Sequence, residues 1–309
     1  MRRVSGGFVV GGFTDHHVHL QLVDASQLAS SVLGRVVDLG GNPGVLSAAA
    51  AAGSAHNSGV FTRTPPSEAE SAPIDEETPE LCEGAMIEIT FAGAFLTPPG
   101  GYPSDRSWAP EGSVREIPDA DAAARAVAEM KDAGASCIKI ASNSLAGPVF
   151  SDPMFARIVE LASDAGLPVV AHAEGPGEAQ RAARLGADLL AHAPFSERLT
   201  DAEIEAQAAS VQWISTLAIH AGPTYATAVD NVRRFHSAGG TVLYGTDMGN
   251  GPAAVGLNPR EIRALREADI DGDELIRALS PVESRPLFVP GDVLDPLLAR
   301  PLTPEDLEV

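Results

Sequence analysis

Gly11-Gly12-Phe13-Thr14-Asp15-His16-His17-Val18-His19-Leu20 closes the first of eight short apolar runs in this 309-residue chain. Side chains on a strand alternate between faces with a period of two, so His17 and His19 project together while His16 and Val18 point the other way. Two imidazoles on one face, about 6–7 Å apart along a strand, can converge on one cation. Such a pair is common by chance and decides nothing alone. Its weight comes from where the other runs end.

The runs cover residues 8–14, 35–39, 86–91, 136–140, 168–171, 188–191, 212–217 and 241–245. Ala-rich helical stretches lie between several of them, at 119–133, 152–165, 177–185, 200–209 and 225–238, and two more follow the eighth run at 258–268 and 273–279. Three of the helices open on Asp or Thr at an N-cap position, and several end in Ala-Gly or Leu-Gly before the next strand. Strands alternating with helices predict an α/β chain with a parallel sheet. Eight of them with helical crossovers predict a (β/α)8 TIM barrel, which takes roughly 250 residues. Counting alone is also compatible with an open, doubly wound sheet.

Four further residues stand at the same level of these units. Lys139 interrupts the apolar fourth run, where a charged ammonium is costly to bury. An edge strand that lets the amine reach water is the plain reading. A neutral amine could instead add carbon dioxide to give a two-oxygen carbamate, or form a Schiff base with a carbonyl substrate. His172 and His192 follow the fifth and sixth runs in matching positions, 20 residues apart. Asp247 follows the eighth run, at the strand end where barrel enzymes place catalytic groups. If the strands close in order, His17, His19, Lys139, His172, His192 and Asp247 all face one mouth. A coincidence of position and chemistry at six places is the competing explanation.

Composition narrows the partners. The formal charge is -21, from 42 acidic and 21 basic residues, which disfavours nucleic acid and anionic membrane and leaves a small-molecule substrate. No stretch approaches the roughly 20 apolar residues of a membrane span. The N-terminal residues carry no secretory pattern, so a cytoplasmic setting is expected. Cys82 and Cys137 form no CxxC pair, and neither a disulfide framework nor a cysteine zinc site is suggested. Residues 62–79 are rich in Pro, Ser and Glu and read as a mobile insert, with a lid as the alternative. The Gly/Pro-rich stretch 96–113 follows a strand directly and carries Tyr102, Arg106 and Trp108, which makes it the better substrate loop. The run 269–273 invites a calcium reading, but no glutamate follows at the right offset, and a helix connection is expected.

The six-residue pattern resembles the amidohydrolase superfamily across nearly the whole barrel. The 11–20 stretch is similar to that superfamily's first-strand motif. Val37-Asp38-Leu39-Gly40-Gly41 and 97–102 are closest to its imidazolonepropionase-like and prolidase-like branch. The resemblance implies a binuclear site in which His17, His19 and Asp247 hold one divalent ion and His172 and His192 the other. A carbamate formed from carbon dioxide on Lys139 would bridge them. Zinc suits such ligands, with manganese or cobalt as substitutes. The implied reaction is hydrolysis of an amide, cyclic amide, lactone or related carbonyl C–N or C–O bond by a metal-activated hydroxide. Asp247 would move the proton, and His220, just beyond the seventh strand, would donate to the substrate carbonyl or its oxyanion. Tyr102 and Trp108 would form an apolar wall.

Two departures accompany it. Relatives usually carry a small β-sandwich built from both chain ends. Here little precedes the first strand, and the tail from Pro281 lacks strand-like sequence, so the sandwich is expected to be reduced or absent. The expected organisation is therefore a barrel over 1–280 and a tail over 281–309 packing on it. A homo-oligomer remains compatible, without the usual sandwich contact. Competing functions are a one-ion deaminase, which needs no bridging lysine, and a metal-free aldolase using Lys139 as a Schiff base. The aldolase leaves four strand-end histidines unexplained. A non-catalytic barrel that keeps its ligands for a structural metal is the fourth option.

Overall fold

The computed structural model describes residues 1–54, 87–251 and 253–307; the 62–79 insert, His56 and Cys82 lie outside them. Strands stand where all eight apolar runs predict them: Gly7–Val18, Leu33–Asp38, Glu88–Phe91, Ile138–Asn143, Val169–Glu174, Leu189–Leu190, Gln212–Ile214 and Val242–Leu243. The first three run parallel in one sheet. The last five run parallel, in chain order, in another.

Two seams bring these sheets together. Past the third strand the chain turns at Gly93, whose φ of 78° a side chain would resist, and continues as Phe95–Thr97. That segment pairs in parallel with the fourth strand, Phe95 opposite Lys139. At the other seam the first strand meets the chain leaving the eighth. His16 N–H donates to Tyr244 O at 3.0 Å and His19 N–H to Met248 O at 2.7 Å. Val18 and Met248 form a parallel bridge beside them.

All seven helices of the sequence reading form, from Ala120–Asp132 to Gly272–Ala278. Local chemistry fixes their starts. Asp119 accepts the Ala122 N–H at 2.8 Å, and Thr200 with Glu203 makes a reciprocal capping box, each worth about 1 kcal/mol. The packing is layered. Trp213 stacks on Phe235 of the helix Gly222–Ser237 at 3.7 Å. A second apolar cluster gathers Leu39, Ala92, Cys137, Val170, Ala191 and Ile214 from six of the strands or their ends. The 269–273 segment connects two helices, with Asp269 and Asp271 paired to Arg233 and Arg266. Among the described residues, no helix is long and apolar enough to cross a membrane.

Several elements go beyond the sequence reading, among them Phe95–Thr97 and Val114–Glu116 at the ends of the stretch read as a loop. A helix forms at Pro43–Ser54. The tail, read as lacking strand character, contributes the strand Val282–Pro290, antiparallel to the first strand. Its register shifts between Val282 and Leu287, the interval that holds Pro286, whose missing N–H breaks the ladder. Arg2–Val4 and Arg300–Pro301 extend the same sheet. The tail thus adds strands to the sheet that holds the first three.

Glu261, fully buried at the start of the helix Pro259–Glu267, ties that helix to the loop after the seventh strand. Its carboxyl accepts the Leu217 and Ala218 N–H groups at 2.9 and 2.6 Å. Burial outweighs these bonds and raises its pKa to about 7. The folded state therefore holds a proton that the unfolded state releases near pH 4.5, and stability falls as pH rises from there through 7. The shift corresponds to roughly 3 kcal/mol. Glu261→Gln should flatten that part of the wild-type stability profile, measured by urea unfolding between pH 5 and 7.5. An unchanged slope in the variant would assign the pH dependence to other groups.

Candidate metal centre

The first strand delivers His17 and His19 to one point, as its alternation predicts. Both are buried, and both face Asp247 from the far seam: His17 Nε2 and His19 Nε2 lie 3.3 and 3.1 Å from Asp247 Oδ1. His16, the alternate residue, instead meets Tyr244 O through Nδ1 at 3.0 Å. Asp247 reaches its position through a left-handed backbone with φ of 54°, a conformation that Asp tolerates better than most residues. Asn250 Nδ2 donates to its second oxygen at 2.9 Å.

The other ends of the two imidazoles decide the chemistry. His17 Nδ1 lies 2.7 Å from Ala191 O, and His19 Nδ1 lies 3.0 Å from Gly40 O. A carbonyl oxygen only accepts, so each Nδ1 carries the proton, and in the neutral ring Nε2 is a bare lone pair. Two nitrogen lone pairs and a carboxylate oxygen then converge. Oδ1 of Asp247 is buried and makes no hydrogen bond. With both rings neutral the three acceptors repel one another; a proton on His19 relieves this in the metal-free protein, and a divalent cation can take that proton's place. The three residues form the ligand cluster of the described part of the chain, with donor atoms within 4.8 Å of one another. The chemistry of this donor set fits a divalent ion.

Charge distribution follows from the same geometry. Burial and Lys139 push the His17 pKa well below its usual value. His19 loses basicity to burial but regains more from Asp247, and its pKa is raised. Burial would raise the Asp247 pKa, yet the neighbouring histidines hold it far below the carboxylate range.

Lys139, His172 and His192 border this cluster. Lys139 is 1 % exposed. Among the described residues it makes no hydrogen bond and no close ion pair. Burial lowers its pKa to about 8. His192 sits 4.7 Å from His17 and 4.9 Å from His172, centroid to centroid. Its Nδ1 meets Thr216 Oγ1 at 2.8 Å. Thr216 holds that contact from a left-handed backbone, φ 44°, which is strained for a β-branched residue. His192 lies just past the C-terminal end of the sixth strand, as Asp247 lies past that of the eighth.

The loop residues that the sequence reading set beside a substrate also gather here. The 96–113 loop lays Tyr102 against His172, rings stacked at 5.2 Å, and sets Trp108 6.3 Å from His19. Arg106 lies over the Tyr102 ring. His220 packs on Phe195 at 4.2 Å, and burial lowers its pKa to about 4. Its Nε2 is buried without a hydrogen-bond partner, so this neutral ring has one polar atom unspent.

Glu174 was not among the residues picked from the sequence. Its Oε2 lies 3.2 Å from His172 Nε2 and accepts Asn143 Nδ2 at 2.7 Å. The signal was the spacing His172-Ala173-Glu174, the same period of two that singles out His17 and His19.

No family model matches this chain, and no curated protein does. Solved structures do. A Xaa-Pro dipeptidase with methionine bound in its active site aligns over 93 % of this chain and 82 % of its own, at 17 % identity and a TM-score of 0.62. An ochratoxinase from A. niger aligns over 92 % and 77 %, at 14 % identity and a TM-score of 0.66. An amidohydrolase aligns over 94 % and 82 %, at 18 % identity and a TM-score of 0.64. At these identities the likeness is one of fold. It extends over nearly all of the chain.

Proposed function

We propose that this chain is a metal-dependent hydrolase of the amidohydrolase superfamily, built on a closed (β/α)8 barrel and acting on carbonyl C–N or C–O bonds. One observation carries the reading: Asp247 Oδ1 is buried without a hydrogen-bond donor between two imidazoles whose outer nitrogens are spent on carbonyls. The two seams support closure of the barrel, and the fold shared with hydrolases supports the reaction class.

His17, His19 and Asp247 would hold one ion and His172 and His192 the other. The Lys139 amine, lowered toward neutrality by burial, would add to carbon dioxide, lose a proton and share the resulting carbamate between the ions. Bound zinc, or manganese or cobalt in its place, supplies a water nucleophile at neutral pH and polarises the carbonyl. Asp247 accepts the proton of the attacking water and delivers it to the leaving nitrogen or oxygen as the C–N or C–O bond breaks. His220 presents its unspent nitrogen to the carbonyl oxygen, where negative charge develops. Tyr102 and Trp108 wall the substrate and exclude water. Amides, cyclic amides and lactones are the substrate classes, and the protein is placed in the cytoplasm, with self-association open.

A one-ion deaminase is the second reading. What favours it is that three ligands converge tightly while His172 Nε2 faces Glu174. Elemental analysis of protein reconstituted with zinc and bicarbonate separates the two. We expect about two ions per chain and, on a panel of amides, cyclic amides and lactones, turnover that a chelator removes and zinc restores. One ion would favour the deaminase. None, after full reconstitution, would bring forward the Schiff-base reading, which borohydride trapping with a carbonyl substrate detects.

A further inference from the structure

We propose a second binding site at the opposite end of the strands from the metal cluster, one that takes a small, uncharged amide. The site is a cavity of about 340 Å³. Among its lining residues, Glu88 and Leu189 are the first residues of the third and sixth strands, and Arg35 lies near the start of the second. His17, His19, His192 and Asp247 stand at or just past the other ends of their strands. The proposal therefore does not depend on how many ions the metal centre holds.

The walls are apolar, with Val37, Val170, Leu189 and Ile214 contributed by four different strands. A volume of this size lies at the lower end of the range of small-molecule sites, in which a few polar groups fix the ligand's orientation. Three residues supply them here. Arg35 Nη2 pairs with Glu88 Oε2 at 2.8 Å, so the guanidinium charge is already answered. Its Nε is buried and makes no hydrogen bond, and a buried donor left unpaired is costly. His16 also lines the cavity. Its Nδ1 lies 3.0 Å from Tyr244 O, a pure acceptor, so Nδ1 carries the proton and Nε2 of the neutral ring is an acceptor. That Nε2 has no partner among the described residues. One unspent donor and one unspent acceptor in an apolar cavity complement an amide, whose carbonyl accepts from Arg35 and whose N–H donates to His16. A hydrocarbon leaves both unsatisfied. A carboxylate has no proton for His16 and faces Glu88, on a chain whose net charge of -21 already repels anions.

Calorimetric titration of benzamide and of benzoate into the zinc-reconstituted full chain tests this, with Leu189→Trp, Arg35→Met and Tyr102→Ala alongside. Benzoate keeps the ring and the shape but offers no N–H. Tyr102→Ala alters the metal-side loop, where an amide could bind as a substrate. We expect benzamide to bind wild type and Tyr102→Ala alike, with Kd about 1 mM or tighter. Leu189→Trp, which fills the cavity, should abolish that binding, and Arg35→Met should weaken it at least about tenfold. Benzoate should bind at least about tenfold more weakly than benzamide. Melting curves show whether each variant is folded, and Arg35→Met, at a partly exposed position, decides the case in which Leu189→Trp is not. No saturable binding of benzamide to wild type would overturn the proposal. So would binding that Arg35→Met leaves unchanged, binding that only Tyr102→Ala removes, or benzoate affinity equal to that of benzamide.

Discussion

Lys139→Ala should leave a folded protein that has lost its second ion and at least ~10³-fold of its kcat/KM, because a bridged ion pair supplies several kcal/mol of transition-state stabilisation. The stability expectation separates this from a structural role. Burial lowers the Lys139 pKa from 10.5 to about 8. A depressed base means that the folded state sheds a proton the unfolded state keeps, so at pH 7 the lysine costs stability, and the cost fades as pH rises through 8 to 10.5. That cost is roughly 3 kcal/mol, and removing the side chain recovers it. The cavity left behind costs about 2–4 kcal/mol. The two nearly cancel, so the metal-free variant should melt within a few degrees of metal-free wild type. A short carboxylate such as acetate fits the space vacated and can supply two bridging oxygens, so partial rescue of metal content and turnover by acetate is expected. A variant that keeps both ions and full activity would remove the carbamate from the mechanism. A borohydride-stable adduct between wild type and a carbonyl substrate would give Lys139 the other chemistry.

Asp247→Asn is the second large effect. Asparagine accepts the left-handed backbone at φ 54°, and its carbonyl can still take the Asn250 amide that now bonds the carboxylate at 2.9 Å. The backbone therefore has no reason to move. What changes is the atom between His17 and His19, from an acceptor to an N–H donor able to satisfy their lone pairs. The metal-free protein should still fold but lose the stabilisation that the depressed Asp247 carboxylate and His19 give each other, while the first ion is lost and kcat/KM falls by about 10³–10⁴-fold. Elemental analysis and a melting curve on one preparation check both halves. Retention of the ion at wild-type affinity would mean that Asp247 is not a ligand, whatever the activity did.

The sequence was legible where position and chemistry coincide. His17, His19, Lys139, His172, His192 and Asp247 were readable because each ends or interrupts a strand-like run, and the structure gathers all six at one end of the two sheets. Glu174 obeys the same spacing but escaped, since an acidic residue just past a strand is ordinarily solvated. Tyr102 and Trp108 could be named as loop aromatics, but only the folded loop sets them against His172 and His19. The tail strand stayed hidden for a physical reason. Val282-Glu283-Ser284-Arg285-Pro286 has charges and a proline where an interior strand would have an unbroken alternation, and the ladder tolerates them by shifting register there.

The pairing of Val282–Pro290 with the first strand bears on the order in which this protein can be made. The strand that carries His17 and His19 is synthesised well before two of the segments that pair with it. Its antiparallel neighbour and the Tyr244–Met248 segment that also bonds to it follow more than 200 residues later. Until they emerge, that strand is paired only by Arg2–Val4 and Leu33–Asp38, and unpaired edges in a growing chain invite wrong pairings. The imidazoles can find Asp247 only after most of the chain exists. Metal uptake then belongs to the finished polypeptide and not to the nascent one, and premature chain termination anywhere before residue 247 yields a product with no complete first site.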